Sequence, residues 1–111
     1  MKKNGRKSAV RASSGNVFAD LGFANPERET LKAQLMLQIY RLIRRRGITQ
    51  AQAGEILGIR QPNVSALMRG QSGVFSVERL MEFLTHLGQD VRIRVVPSRS
   101  KQASVSVVIG Q

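Results

Sequence analysis

A chain of 111 residues with a formal charge of +11 and a pI near 11.7 has room for one modest core, and its basicity points to a polyanionic partner, nucleic acid first. The lack of cysteine excludes disulfides and thiol catalysis and fits a reducing cytoplasm. With one histidine, seven scattered acidic residues and no nucleophile–base pair, phosphate-cradling glycine loop or metal-ligand spacing, no enzyme activity, cofactor or metal is expected, and binding remains as the function.

Residues 1–16 are rich in Lys, Arg, Ser and Gly and read as a flexible basic arm, in which Lys2, Lys3, Arg6, Lys7 and Arg11 are offset by no acid. Residues 17–90 read as one helical domain and 91–111 as a strand and tail. No apolar run of signal-peptide or membrane-spanning length occurs, so a soluble cytoplasmic protein is expected. Val17, Phe18, Leu21 and Phe23 form an apolar cluster spaced like one helical turn. It can clip onto the domain or anchor another protein.

The first long helix opens at Asn25-Pro26, with Asn as cap, Pro in the first turn, and Glu27 and Glu29 where the helix dipole favours acids. It closes with Arg44-Arg45-Arg46 before Gly47. Leu31, Leu35, Met36, Ile39, Tyr40, Leu42 and Ile43 occupy roughly half the helix surface, and Leu37 lies outside that arc. Either a deep core or a partner accounts for the excess.

The stretch Thr49–Gly70 reads as two short helices joined by a tight turn. Thr49 and Gln52 have the spacing of a capping box, and Ala53, Ile56 and Leu57 form an apolar stripe. Gly58 supplies the left-handed backbone that stops the first helix, and Pro62 suits the first turn of the second. Val64, Leu67 and Met68 face inward, Gln61, Asn63, Ser65 and Arg69 outward, and Gly70 closes the unit.

After a loop from Gln71 to Phe75, Ser76 caps a last helix whose Val77, Leu80, Met81, Leu84 and Leu87 share one face, with Phe75 and Phe83 as core fillers and Gly88 as terminator. His86 falls on the polar side. The period then shortens to two: Val91, Ile93 and Val95 alternate with Arg92 and Arg94 before Pro97, which predicts a short strand. Its backbone needs a partner, and pairing with its own copy in a dimer is favoured over a hairpin with residues 105–109.

Thr49-Gln50, Ala53 at the crossing, Leu57-Gly58-Ile59 and Gln61-Pro62-Asn63-Val64-Ser65 together resemble the helix-turn-helix of the phage-repressor (lambda/Cro, XRE) superfamily, whose second helix lies in the major groove. The resemblance implies a mostly α, lambda-repressor-like bundle of four to five helices with a short C-terminal β-strand used in dimerisation. It implies base contacts from Arg60, Gln61, Pro62 and Asn63. Gln61 and Asn63 suit adenine, Pro62 a thymine methyl, and Arg60 a guanine or a phosphate. Gln50, Gln52, Ser65 and Arg69 would meet phosphates, with Gln50 also steadying Gln61. Double-stranded DNA carrying an inverted repeat, bound by a homodimer, is the implied partner.

The segment Asn16 to Glu27, followed by a helix, this motif and the closing Gly88-Gln89-Asp90-Val91-Arg92-Ile93, further resembles HigA-like antitoxins, which sequester a RelE/HigB-like toxin and repress their own operon. That resemblance implies toxin contacts at Phe18, Asp20, Leu21, Phe23 and Leu37, while the two-fold pairing expected of the strand makes Val91, Ile93 and Val95 the dimer contacts. The charge of +11 departs from the acidic character of many antitoxins and places the electrostatic part of neutralisation on Asp20, Glu27 and Glu29. An ordinary phage or metabolic repressor without a toxin, and a nucleic-acid-binding protein without sequence preference, are the alternative readings.

Overall fold

The structure, a computed structural model, describes residues 26–110. The basic arm and the expected toxin contacts Phe18, Asp20, Leu21 and Phe23 lie outside the described residues. Four α-helices follow in order: α1 (Pro26–Arg46), α2 (Gln50–Leu57), α3 (Gln61–Met68) and α4 (Val77–His86), with a single 3-10 turn at Ser72–Val74 between the last two. None is long and apolar enough to cross a membrane, and among the described residues no His, Asp and Glu side chains group as they would around a metal ion.

Local chemistry sets these boundaries. In α1, Glu27 and Glu29 occupy the first turn and Arg44, Arg45 and Arg46 the last, complementing the dipole at both ends. The Thr49 hydroxyl accepts from the Gln52 amide at 3.0 Å while the Thr49 amide donates to Gln52 Oε1 at 2.8 Å, so the capping box is complete. Gly58 ends α2 with φ 74°, a left-handed conformation that a side chain would strain. In α4, Ser76 Oγ accepts from the Arg79 amide at 3.0 Å.

Packing then closes the bundle. α1 lies against α4, α3 and the 3-10 turn, and α2 packs on α3 and touches α4. The broad apolar arc of α1 is spent mainly inside: Leu35, Met36, Ile39, Leu42 and Ile43 are buried, Leu31 and Tyr40 are half-buried, and Leu37 stands out at 48 % exposure. From the other helices Ala53, Leu57, Val64, Ala66, Leu67, Leu80, Phe83, Leu84 and Leu87 complete the core. Each large side chain fully buried here contributes about 1.5–3 kcal/mol of transfer free energy. Phe75 and Phe83 meet edge to face with centroids 5.4 Å apart, an arrangement favoured by the ring quadrupoles.

Two basic side chains serve the fold. Lys32 sits on the same stripe as Leu35, Met36 and Ile39 and is only 4 % exposed. Its Nζ reaches the rim and donates to the Ser72 carbonyl at 3.1 Å, and the Ser72 hydroxyl donates to Glu29 at 2.8 Å. The turn that follows α3 is thereby fastened to the start of α1. Arg46 donates to the Leu87 carbonyl at 2.9 Å, so one of the three arginines ending α1 satisfies an orphan carbonyl at the end of α4.

Ala53, expected at the crossing, is fully buried, and its neighbour Gly54 lies tight against the turn that leads into α3. A Cβ at Gly54 would lie 2.7 Å from the Ile59 carbonyl oxygen and 3.4 Å from Val64 Cγ2, whereas Ala53 points into the core.

The expected C-terminal strand is not formed: among the described residues no strand occurs. Residues 91–98 run without a ladder, because a strand needs a second edge and residues 105–109 do not supply one. Val91 and Val107 lean on the core, while Ile93 and Val95 are 77 % and 89 % exposed. The tail instead returns to α1, where the Val105 amide donates to Glu27 Oε2 at 2.9 Å.

Replacing Gly54 with Val should cost roughly 3 kcal/mol or more, since a backbone carbonyl cannot step aside cheaply. Equilibrium urea unfolding checks this, and a variant as stable as the parent contradicts the close crossing. Lys32 gives a second test. Burial, then the neighbouring Arg28, lower its pKa below the usual 10.5, against a smaller upward pull from Glu29. Between its folded and unfolded pKa values the unfolded chain holds a proton that the folded chain has shed, so its contribution to stability rises with pH through that window. Lys32→Met should remove this rise, as read from denaturation midpoints measured on both sides of it.

Candidate nucleic-acid interface

The site is built on α3. Arg60 precedes it in extended conformation with φ −78° and ψ 156°, and its side chain makes no capping hydrogen bond. The Arg60 carbonyl accepts from the Asn63 amide at 2.9 Å and from the Val64 amide at 3.1 Å. Pro62 lacks an amide proton and so leaves no orphan donor at its own position. The inner side of α3 is pinned by Val64, Ala66 and Leu67, all buried. Gln61, Pro62 and Asn63 therefore stand exposed in a row at the leading end, on a helix with little freedom to rotate.

The other candidates are arranged around that row. Arg69 Nη1 donates to Ser65 Oγ at 2.6 Å, one helical turn apart, so these two expected phosphate contacts are already oriented as a pair. Gln52 commits its carbonyl oxygen to the Thr49 amide and keeps its side-chain amide donors for other partners. Gln50, the first residue of α2, is half-buried. Among the described residues no hydrogen bond joins Gln50 to Gln61, so the expected steadying contact is not made in the free protein. A carboxamide that is not held can still adjust to the donor and acceptor pattern it meets.

Between α2 and the leading end of α3 lies a shallow, open depression, bounded by Gly54, Glu55, Arg60, Gln61 and Asn63 and by Arg79 of α4. Arg79 has no counterpart in the sequence reading, although an arginine in the first turn of a helix runs against the dipole and is visible as an anomaly. Its Nη1 donates to Glu82 Oε1 at 2.9 Å, and its guanidinium carbon lies 4.9 Å from the centroid of the Phe83 ring. His86 ends α4 exposed and takes no part in the site.

A family model for a helix-turn-helix domain matches residues 17–96. A solved structure described, provisionally, as an XRE family transcriptional regulator is similar at 42 % identity and TM-score 0.70, over 76 % of this chain and 97 % of the other. The chain belongs to the XRE-type helix-turn-helix family. DNA binding in transcription regulation is the work of that family. Comparison with curated proteins gives no match.

In an XRE protein of this geometry, replacing Gln61 with Ala should cost about 1–3 kcal/mol of discrimination at one base pair while leaving binding to unrelated DNA nearly unchanged. Competition binding against operator variants checks this. An unchanged base preference places the reading elsewhere.

Proposed function

We propose that this XRE-family protein binds an inverted-repeat operator as a homodimer, represses its own operon and neutralises a RelE/HigB-like toxin. The observation that carries the DNA-binding part is the exposed row of Gln61, Pro62 and Asn63 on a helix locked by a buried inner side. Gln61 and Asn63 offer a donor and an acceptor each, which matches the major-groove edge of adenine. Pro62 offers an apolar surface for a thymine methyl, and Arg60 a cationic fork for guanine or a backbone phosphate. Gln50, Gln52, Ser65 and Arg69 fix the register through phosphates, which carry affinity without sequence information.

Two features support a dimer. Residues 91–96 pair with no ladder among the described residues, and Ile93 and Val95 present apolar side chains to water. Antiparallel pairing of this segment, Val91 included, with its copy satisfies both, and brings two α3 helices to half-sites about 34–36 Å apart. The antitoxin part is supported by the flanking resemblance across residues 16–27, which includes Phe18, Asp20, Leu21 and Phe23, and by the exposure of Leu37 on α1.

Coexpression with the product of the adjacent reading frame tests the antitoxin reading. A stable complex that restores growth to toxin-expressing cells supports it. A chain that purifies alone, with no effect on growth but with tight binding to its own promoter, identifies an ordinary repressor instead. In the same preparation, Ile93→Asp combined with Val95→Asp should convert a dimer to a monomer in sedimentation velocity and weaken operator binding at least tenfold.

A further inference from the structure

We infer that Arg79, on α4, is a DNA-backbone contact, acting with Arg60 across the depression to hold one phosphate beside the reading end of α3. This deepens the DNA-binding reading and rests on it.

The two arginines reach the same depression from different elements, Arg60 from the turn before α3 and Arg79 from the first turn of α4. Glu55 also lines it, so the pair leaves the lining with a net positive charge where a polyanion would arrive. The Arg60 side chain has no hydrogen bond or ion pair among the described residues. Arg79 is held in place without being used up. Its place over the Phe83 ring, 4.9 Å from the centroid, and one bond to Glu82 hold the guanidinium, and only Nη1 of its nitrogens is engaged in a hydrogen bond. The remaining N–H donors have no protein partner among the described residues.

The Arg79–Glu82 pair is a surface pair, with side chains 43 % and 58 % exposed, and such pairs contribute little to stability. Its use is orientation. An arginine set by a ring and a carboxylate loses less rotamer entropy on binding than a free one, and its flat fork matches the oxygens of a phosphate. The position also accounts for a cation in the first turn of α4, where the dipole disfavours it: the cost is small and the charge faces the duplex.

The experiment measures affinity for operator and random duplexes over a salt series, with the parent, Arg79→Gln and Arg79→Lys, each first shown to be folded by circular dichroism. Arg79→Gln should bind both duplexes about tenfold more weakly and flatten the slope of log K against log salt by about 1, while Arg79→Lys keeps the slope. In the parent, the Arg79 Nε–H resonance should shift on titration with operator duplex, which keeps the test open if a variant does not fold. An unchanged slope in folded Arg79→Gln, or an Arg79 resonance that stays in place while the amides of Gln61 and Asn63 move, overturns the inference and leaves the DNA-binding reading standing. A parent that binds neither duplex overturns that reading as well.

Discussion

The approach of α2 to α3 at Gly54 is the constraint on which the rest of the structure depends. A side-chain carbon there would sit 2.7 Å from the Ile59 carbonyl oxygen, so the turn lies against α2 more closely than any side chain at this position would allow. That carbonyl belongs to the very turn that redirects the chain, and the Gly54 carbonyl in its own right accepts from the Gly58 and Ile59 amides at 2.8 and 3.0 Å. One residue thus fixes the spacing of the pair and closes the turn between them. With the spacing set, Val64 drops into the core, and Gln61, Pro62 and Asn63 have nowhere to go but outward.

Around this pair the bundle behaves as a clamp. α1 supports α3 through its apolar side and grips the following turn through Lys32, Ser72 and Glu29. α4 closes the far side and is stitched to the end of α1 by Arg46 and the Leu87 carbonyl. Both stitches join a charged group to a backbone carbonyl or a hydroxyl, which positions a loop more narrowly than apolar contact, since a hydrogen bond weakens steeply away from its preferred geometry. The consequence for function is a leading end of α3 whose backbone is rigid while its exposed amide side chains remain adjustable.

Features of the fold that arise from neighbours in sequence were legible before the structure. The capping box at Thr49 and Gln52, the Ser76 cap, the terminating Gly58 and Gly88 and the charge gradient of α1 all act within a turn or two, and the helices begin and end where those residues predict. Features that depend on contacts between distant segments were not. Ala53 and Gly54 are adjacent small residues, and which of them faces α3 depends on a rotation of about 100° that only packing decides. Alternation at 91–95 shows that the segment has two unlike faces, but a ladder requires an edge that none of the described residues provides. Lys32 lay in plain view on the apolar stripe of α1, and the polar type of the residue hid its burial. In the candidate site, Gln61, Pro62 and Asn63 could be placed from the motif alone. Arg79 could not, because the depression it shares with Arg60 is a property of the tertiary fold.

The return of the tail to Glu27 carries a different implication. A single exposed hydrogen bond of this kind contributes on the order of 1 kcal/mol, and beside it only Val107 leans on the core, so the tail is loosely fastened to the helices. The tail can therefore come away for the loss of that bond and of the Val107 contact, with the buried core of the helices left whole.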